Sequence, residues 1–289
     1  HNRDMIADQL MVRTAPLAKE AFQYNVWDMT EGFTIPDTKI GRRGRTNEVE
    51  FSSELKDAST EDFGLEDPIP QSDIDNDHDS KVISRSTEQI RNLIMLDREV
   101  RVSNIAFSAA SYAAANVEVV GAGDRFDDDV NPIPMLNDAM SVPIMRPNVW
   151  TMGETAWNKL SVNPYIVKAA HGNSGDAGIA SVEAVRNLFR LDKLLIGKAR
   201  VNTARKGQNA NLQTAWGNSL SMTYQDPMAD NRTGTTWGFT AQHGTPFAAQ
   251  WFDKDIGLKG GQRVRVGESV KEVVSAKDLG YLLETVTNA

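Results

Sequence analysis

The chain has 289 residues, 40% of them hydrophobic, and a formal net charge of −8. That acidic balance argues against a dedicated nucleic-acid binder, which would present a basic face. The absence of cysteine excludes disulfides, zinc–thiolate and iron–sulfur centres and thiol nucleophiles. No apolar run approaches the ~18 residues of a membrane span. The first 25 residues alternate charged and apolar, so no signal peptide is expected. Chains of this size hide about 75% of their unfolded surface, enough for one elaborate domain or two.

In chain order, residues 1–30 read as an arm: Leu17, Phe22, Val26 and Trp27 follow Pro16 without a clear period. Such a terminal stretch needs something to lie against, or it docks loosely. Residues 33–55 read as a hairpin. Phe33 and Ile35 alternate with polar residues on one side, Val49, Phe51 and Leu55 on the other, and GRRGR (41–45) supplies the turn. A ribbon with so few apolar residues is marginal alone and is expected to lie on another surface, such as a second chain. Residues 61–80, with Glu61, Asp62, Glu66, Asp67 and the alternating aspartates of SDIDNDHDS, read as an exposed, mobile loop.

The run STEQIRNLIMLDREVRVSNIAFSAASYAAA (86–115) reads as one long helix. Ser86 and Gln89 form a capping box, and Ile90, Leu93, Leu96, Val100 and Ile105 follow at roughly helical spacing. Its length of roughly 43 Å suits a structural spine. VEVV (117–120) reads as a short strand, and Asp127 to Asp129 precede a helix from about Pro132 to Met140, where negative charge suits the N-terminus. Then follow a strand at VWTMG, a helix at ETAWNKL ending near Asn163-Pro164, and a helix at ASVEAVRNLFRL capped at Ser181. KLLIGKARVNT (193–203), SLSMTYQD, TWGFTAQHG, QRVRVGESVKEVVS and KDLGYLLETVTN read as strands. Helices and strands mix without βαβ repetition, which points to an α+β fold.

Chemistry-bearing patterns are sparse. Asp73, Asp75 and Asp77 match the start of a calcium loop, but position six is His78 rather than Gly and position twelve is Ser84 rather than Glu. A solvated acidic loop is the better reading. Asp124 and Asp127 to Asp129 are too close in sequence to converge on one ion, and read as a loop feeding a helix. There is no G-x-S-x-G elbow and no Walker loop. His171 and His243 each stand beside glycine in apparent surface loops. Arg42, Arg43 and Arg45 concentrate charge at the hairpin tip. Phosphate contact is one reading, but bidentate pairing with carboxylates of a neighbouring copy is preferred. With Glu48, Glu50, Asp73, Asp75 and Asp77 they make the candidate inter-subunit contacts. A carboxylate–metal hydrolase built on Asp73 to Asp79 or Asp124 to Asp129 is the competing enzyme reading.

Arm, long hairpin, acidic segment, spine helix and mixed domain occur here in an order that resembles the major capsid proteins of tailed bacteriophages, the Hong Kong 97-type shell fold. LDREVRVSNIAFSAASY, GAGDRFDDDVNPIPMLNDAM, VWTMGETAWNKLSVNPYIV, LDKLLIGKARVNTARKGQNANLQTAWGNSLSMTY and VRVGESVKEVVSAKDLGYLLETV carry the likeness, over roughly residues 25–289. It implies an N-terminal arm (1–30), an extended loop (31–80), a peripheral domain with the spine helix (81–146), an axial domain (147–248) and a return to the peripheral domain (249–289). It further implies a non-enzymatic, cofactor-free shell protein of the virion, assembling with itself as hexamers and pentamers in the bacterial host cytoplasm. Expected partners are portal, scaffold and decoration proteins and packaged double-stranded DNA met without specific recognition, with no membrane. Some relatives cross-link an extended-loop lysine to a neighbour's asparagine. Lys39 and Lys56 are the lysines available, with no local activating glutamate. A nanocompartment shell enclosing enzymes, of the encapsulin kind, is the related alternative.

Overall fold

The computed structural model describes residues 4–27, 33–42, 44–49, 53–78, 81–172, 178–205, 207–229 and 234–288. Among them, two sheets carry the fold. The first runs in the order β4 (Val117–Val119), β12 (Gly280–Glu284), β9 (Leu220–Thr223), β5 (Val149–Gly153), β6 (Lys193–Gly197). Its β9 pairs are antiparallel, whereas β12–β4 and β5–β6 are parallel. Every residue of β5 and β9 is buried, because both faces are covered. On one face Trp150, Met152, Leu220 and Met222 pack against α4 (Ile133–Ser141), α5 (Glu154–Val162), α6 (Pro164–His171) and α7 (Val182–Phe189) through Leu136, Leu160, Ile166, Val185 and Phe189. On the other, Val149, Leu195 and Leu282 meet Val102, Tyr112, Trp216 and Trp237.

The second sheet is longer and antiparallel, in the order β10 (Gly238–Asp253), β11 (Gly261–Val274), β3 (Glu61–Pro70). The spine helix α3 (Val82–Ala106) lies on one face, where Ile90 and Ile94 meet Ile69, Val264 and Val266. The opposite face receives Phe22 of β1 (Ala21–Trp27), which packs with Phe239, Ala241 and Val273. β1 pairs with β2 (Ser53–Ser59) to form the base of a ribbon.

Several sequence expectations change here. The hairpin's paired strands are residues 21–27 and 53–59, whereas described residues from 33 to 49 join no strand. Its turn is where GRRGR puts it, with the Gly44 amide donating to Gly41 O at 2.9 Å. The acidic segment 61–80 is not a loop. Residues 61–70 form β3, and Gln71–Asp75 the short α2. Their acidity misled because β11 supplies the matching cations. Pro68 and Pro70 are tolerated because β3 is an edge strand. The spine helix begins at Val82, not at a Ser86 box: Asp77 Oδ2 accepts from the amides of Lys81 (2.6 Å) and Val82 (2.9 Å). Ser86 instead donates to Asp67 of β3 at 2.6 Å.

The same helix ends at Ala106, nine residues early, although no Gly or Pro stops it. Tyr112 stacks on Trp237 at 5.5 Å and donates to Ala106 O at 2.6 Å, which draws the small-residue run into two 3₁₀ turns, Ala109–Ser111 and Ala114–Asn116. Its buried face runs through Ile90, Ile94, Arg98 and Val102, whereas Leu93 is exposed. The strand expected over 193–203 divides at Gly197. A Cβ there would stand 2.1 Å from the Trp216 ring, so only glycine lets Trp216 close over β6. The chain then turns into β7 (Arg200–Asn202), which pairs with β8 (Leu212–Thr214). α6 was not foreseen; Asn163 both ends α5 and caps α6, accepting from the Tyr165 amide. β4, α4, β5, α5, α7, β9, β11 and β12 lie where the pattern placed them, the last two as strands within QRVRVGESVKEVVS and KDLGYLLETVTN.

Candidate assembly surfaces

The N-terminal segment is not loosely docked. Ile6, Ala7, Leu10 and Met11 are buried, with α1 spanning Ala7–Leu10. Residues 12–17 then run parallel to the first half of β10: Thr14 N donates to Thr240 O (2.8 Å), Leu17 N to Gln242 O (2.7 Å), and Thr240 N to Val12 O (3.0 Å). Two neighbouring residues of α3 hold this segment from inside. Glu99 accepts from the Ala7 amide at 2.6 Å and from Trp216 Nε1 at 2.7 Å. Arg98 pairs with Asp8 and lies 3.7 Å from Glu272, and donates to Thr240 Oγ1 at 3.0 Å. Burial raises the Glu99 pKa against the opposing pull of those hydrogen bonds, and lowers that of Arg98 against its acidic partners. The sequence reading places DREVR in the long helix without singling out Arg98 or Glu99; the signal on offer is that Arg98 stands four residues from both Ile94 and Val102.

The ribbon is the opposite case. Its base is seated: Phe22 is buried and Tyr24 meets Phe239 edge-on at 6.2 Å. Beyond the base every described residue from Phe33 to Val49 is exposed, Ile35 at 92% and Phe33 at 60%. Among the described residues these apolar side chains find no cover. Arg42, Arg45 and Glu48 lie in this exposed stretch. Arg43 and Glu50 fall outside the described residues.

A ladder of charges fastens β3 to β11. Glu66 faces Arg265 in register and pairs with it and with Arg263 (3.2 Å), which also pairs with Asp253 (2.7 Å). Lys271 pairs with Glu61, and Ser269 donates to Asp62. Hydrogen bonds from Lys271 and Arg265 hold the Glu61 and Glu66 carboxyls below their ordinary pKa.

The aspartates do not converge. Asp73 and Asp75 lie exposed on α2, where Gln71 Nε2 donates to Asp75 at 2.8 Å. Asp77 Oδ2 caps α3. Asp127 to Asp129 do not serve the N-terminus of α4. Asn131 Oδ1 accepts from the Ile133 amide, Asp128 from the amides of Gly123 and Arg125, and Asp127 from the Asn288 amide. Among the described residues no three His, Asp or Glu side chains group to hold a metal ion. His243 Nδ1 lies 3.0 Å from Leu17 O, a structural contact rather than a surface base. No described helix is long and apolar enough to cross a membrane.

No family model matches the chain. It is 44% identical over 290 residues to the major capsid protein of Pseudomonas phage JBD67, covering 100% of this chain and 94% of the relative. Its fold is similar to a phage-related protein from Bordetella bronchiseptica RB50, with a TM-score of 0.76 at 18% identity over 99% of this chain and 93% of that one. The capsid structure of the Cyanophage P-SCSP1u follows with a TM-score of 0.58 at 13% identity, over 98% and 88%. The distant structures carry the α+β, Hong Kong 97-type shell fold; the full-length relative carries the role. A chain whose ribbon exposes what a free protein would bury thus belongs to the phage major capsid proteins, the structural shell proteins of the virion head.

Proposed function

We propose that copies of this chain assemble as hexamers and pentamers into an icosahedral shell around double-stranded DNA, and that the chain catalyses nothing. The exposed apolar stretch of the ribbon carries this reading, since Phe33, Ile35, Val49 and Leu55 are 58–92% exposed. Burying a side chain of that size contributes roughly 1.5–3 kcal/mol, so a neighbour covering several of them gains enough to drive assembly. The extended loop corresponds to residues between the Ala21 and Ser59 ends of β1 and β2, shorter than 31–80, because β3 belongs to the long sheet. The long sheet and α3 form the peripheral domain. The five-stranded sheet with α5 to α7 forms the axial domain, and it includes β12, so the closing strand moves from the peripheral to the axial part. A boundary at 248 would cut β10.

Arg42 and Arg45 would meet carboxylates such as Asp73 and Asp75 of an adjacent copy, with Glu48 offering the reverse pairing; Arg43 and Glu50 complete the set by sequence. Net charge of −8 suits an inner wall that releases DNA rather than gripping it. Portal, scaffold and decoration proteins are the expected partners, and the host cytoplasm the place of assembly. A shell around enzymes is disfavoured because the full-length relative is a phage capsid protein. Negative-stain microscopy and light scattering of purified protein test the reading. Regular particles tens of nanometres across are expected, and a persistent monomer under all assembly conditions overturns it. Charge reversal at Arg42 and Arg45 is expected to lower particle yield in a salt-dependent way.

A further inference from the structure

β10 has two halves with different edges. Residues 12–17 cover its outer edge along 240–243, and the register then shifts between His243 and Phe247. From Phe247 to Asp253, β10 pairs with β11 alone, and its other edge lies open among the described residues. An open edge is ordinarily blunted by charge, proline or a bulge. Here the bulge and Pro246 stand before the open part, and Phe247 to Phe252 (FAAQWF) carries no charge. Phe247 and Phe252 are 55% and 57% exposed. This is an edge built to be paired.

We propose that it pairs, antiparallel, with the same edge of a second copy, about a two-fold axis through Gln250. The inference rests on the reading that copies of this chain assemble. The sequence favours this occupant because the register is self-complementary in size. With Gln250 facing Gln250, Phe252 of each copy faces Ala248 of the other, and Trp251 faces Ala249. Large meets small at the two positions on either side of Gln250, the open stretch ending with Phe247 opposite Asp253, and opposite side chains of an antiparallel pair lie on the same face. Trp251 is already braced by Arg265, whose guanidinium lies 5.0 Å from the ring centroid. A two-fold contact of this kind is isologous and closes on itself, so it links two units without generating an open filament. Edge hydrogen bonds supply the affinity and the alternating pockets supply the specificity, as in strand addition generally.

The chain has no cysteine, which makes the register directly testable in the full chain. In the proposed pairing, Gln250→Cys places two thiols directly opposite, near disulfide reach, whereas cysteines at Ala248 in two copies stand about 14 Å apart, four residues of rise. Mild oxidation of assembled Gln250→Cys particles should give a reducible dimer on a non-reducing gel. Ala248→Cys alone should not, and Ala248→Cys with Phe252→Cys should. A second readout does not depend on disulfide geometry. Gln250→Lys and Gln250→Glu should each reduce particle yield alone, and mixing them should restore it. Intact particles that stay monomeric after oxidation of Gln250→Cys overturn the edge pairing and leave the shell standing. So does a dimer that forms only when Ile35→Cys is also present, which would assign the edge to a neighbour's ribbon. Failure of the unaltered chain to form particles strikes the shell reading instead.

Discussion

The two sheets of this protein are completed by different means. In the five-stranded sheet, β5 and β9 are buried along their whole length, and both faces are closed by elements of the same chain. In the three-stranded sheet, β10 is buried up to Ala241 and Gln242 and largely exposed beyond the bulge, while β3 is tied to β11 by charges at its surface. One sheet is a finished core. The other is a half-finished surface whose remaining cover comes from assembly. Exposed phenylalanine and half-buried tryptophan in such a place are therefore a feature of the shell rather than a defect of the subunit.

The comparison can be broken most sharply with matched truncations. Trp150→Ala empties a fully buried site against Phe189 (4.6 Å between rings) and should cost about 3–5 kcal/mol, read by chemical denaturation of the subunit. Trp251→Ala, on the open half, removes a half-buried ring covered by Arg265 and should cost the isolated subunit about 1–2 kcal/mol, well below the fully buried aromatic, yet it should lower particle yield. Equal destabilisation by the two would erase the distinction.

Next in size is the N-terminal clamp. Arg98→Ala takes a buried guanidinium from Asp8 and Thr240 and leaves Glu272 to Arg101 alone (3.1 Å), and should cost about 1.5–3 kcal/mol, the range for charge-assisted hydrogen bonds. Arg98→Met, which fills the volume, should cost less. Trypsin cleavage after Arg13 and Lys19 should quicken in the alanine variant as the segment lifts away. Smaller again, Asp77→Ala removes the cap of α3 and should cost ~1 kcal/mol, visible as a lower melting temperature with particle morphology unchanged.

The smallest effects separate the two regions by the sign of their pH dependence. Glu99 has a raised pKa in the fold, so its contribution is present below its unfolded value and lost as pH rises through the folded one. Glu61, Glu66 and Asp253 have lowered values, so theirs are present above the unfolded value and lost as pH falls through the folded one. Acidification should therefore loosen the surface ladder while leaving the N-terminal clamp tight. In pH-stability curves, Glu66→Gln should reduce the loss on the acid side, and Glu99→Gln the loss on the alkaline side of the carboxylate range. Added salt should weaken only the ladder.

Much of this was legible in the residues. Apolar runs such as VWTMG, the Ser181 cap and the alternation of QRVRVGESVKEVV each placed an element correctly. The turn at Gly41–Gly44 and the need of the ribbon for outside burial were also readable. What failed did so for one reason: the deciding partner was far away in sequence. Acidic residues 61–70 look like a loop until Arg263, Arg265 and Lys271 stand beside them. Asp77 is the one local exception: it reads as part of a solvated acidic loop, yet it caps the amides of Lys81 and Val82, only four and five residues on. The helix looks nine residues longer until Tyr112 reaches Trp237.

The sequence by itself determined which segments are apolar and periodic, where glycine permits a turn, and that no thiol, histidine cluster or catalytic motif was on offer. Those are local properties, set by side-chain chemistry and backbone freedom within a few residues. Only the tertiary structure decided that the N-terminal segment is clamped by Arg98 and Glu99, that β3 is a strand, and that β10 is covered for half its length and bare for the rest. Each of these depends on pairing across more than fifty residues, where burial and charge neutralisation outweigh local propensity.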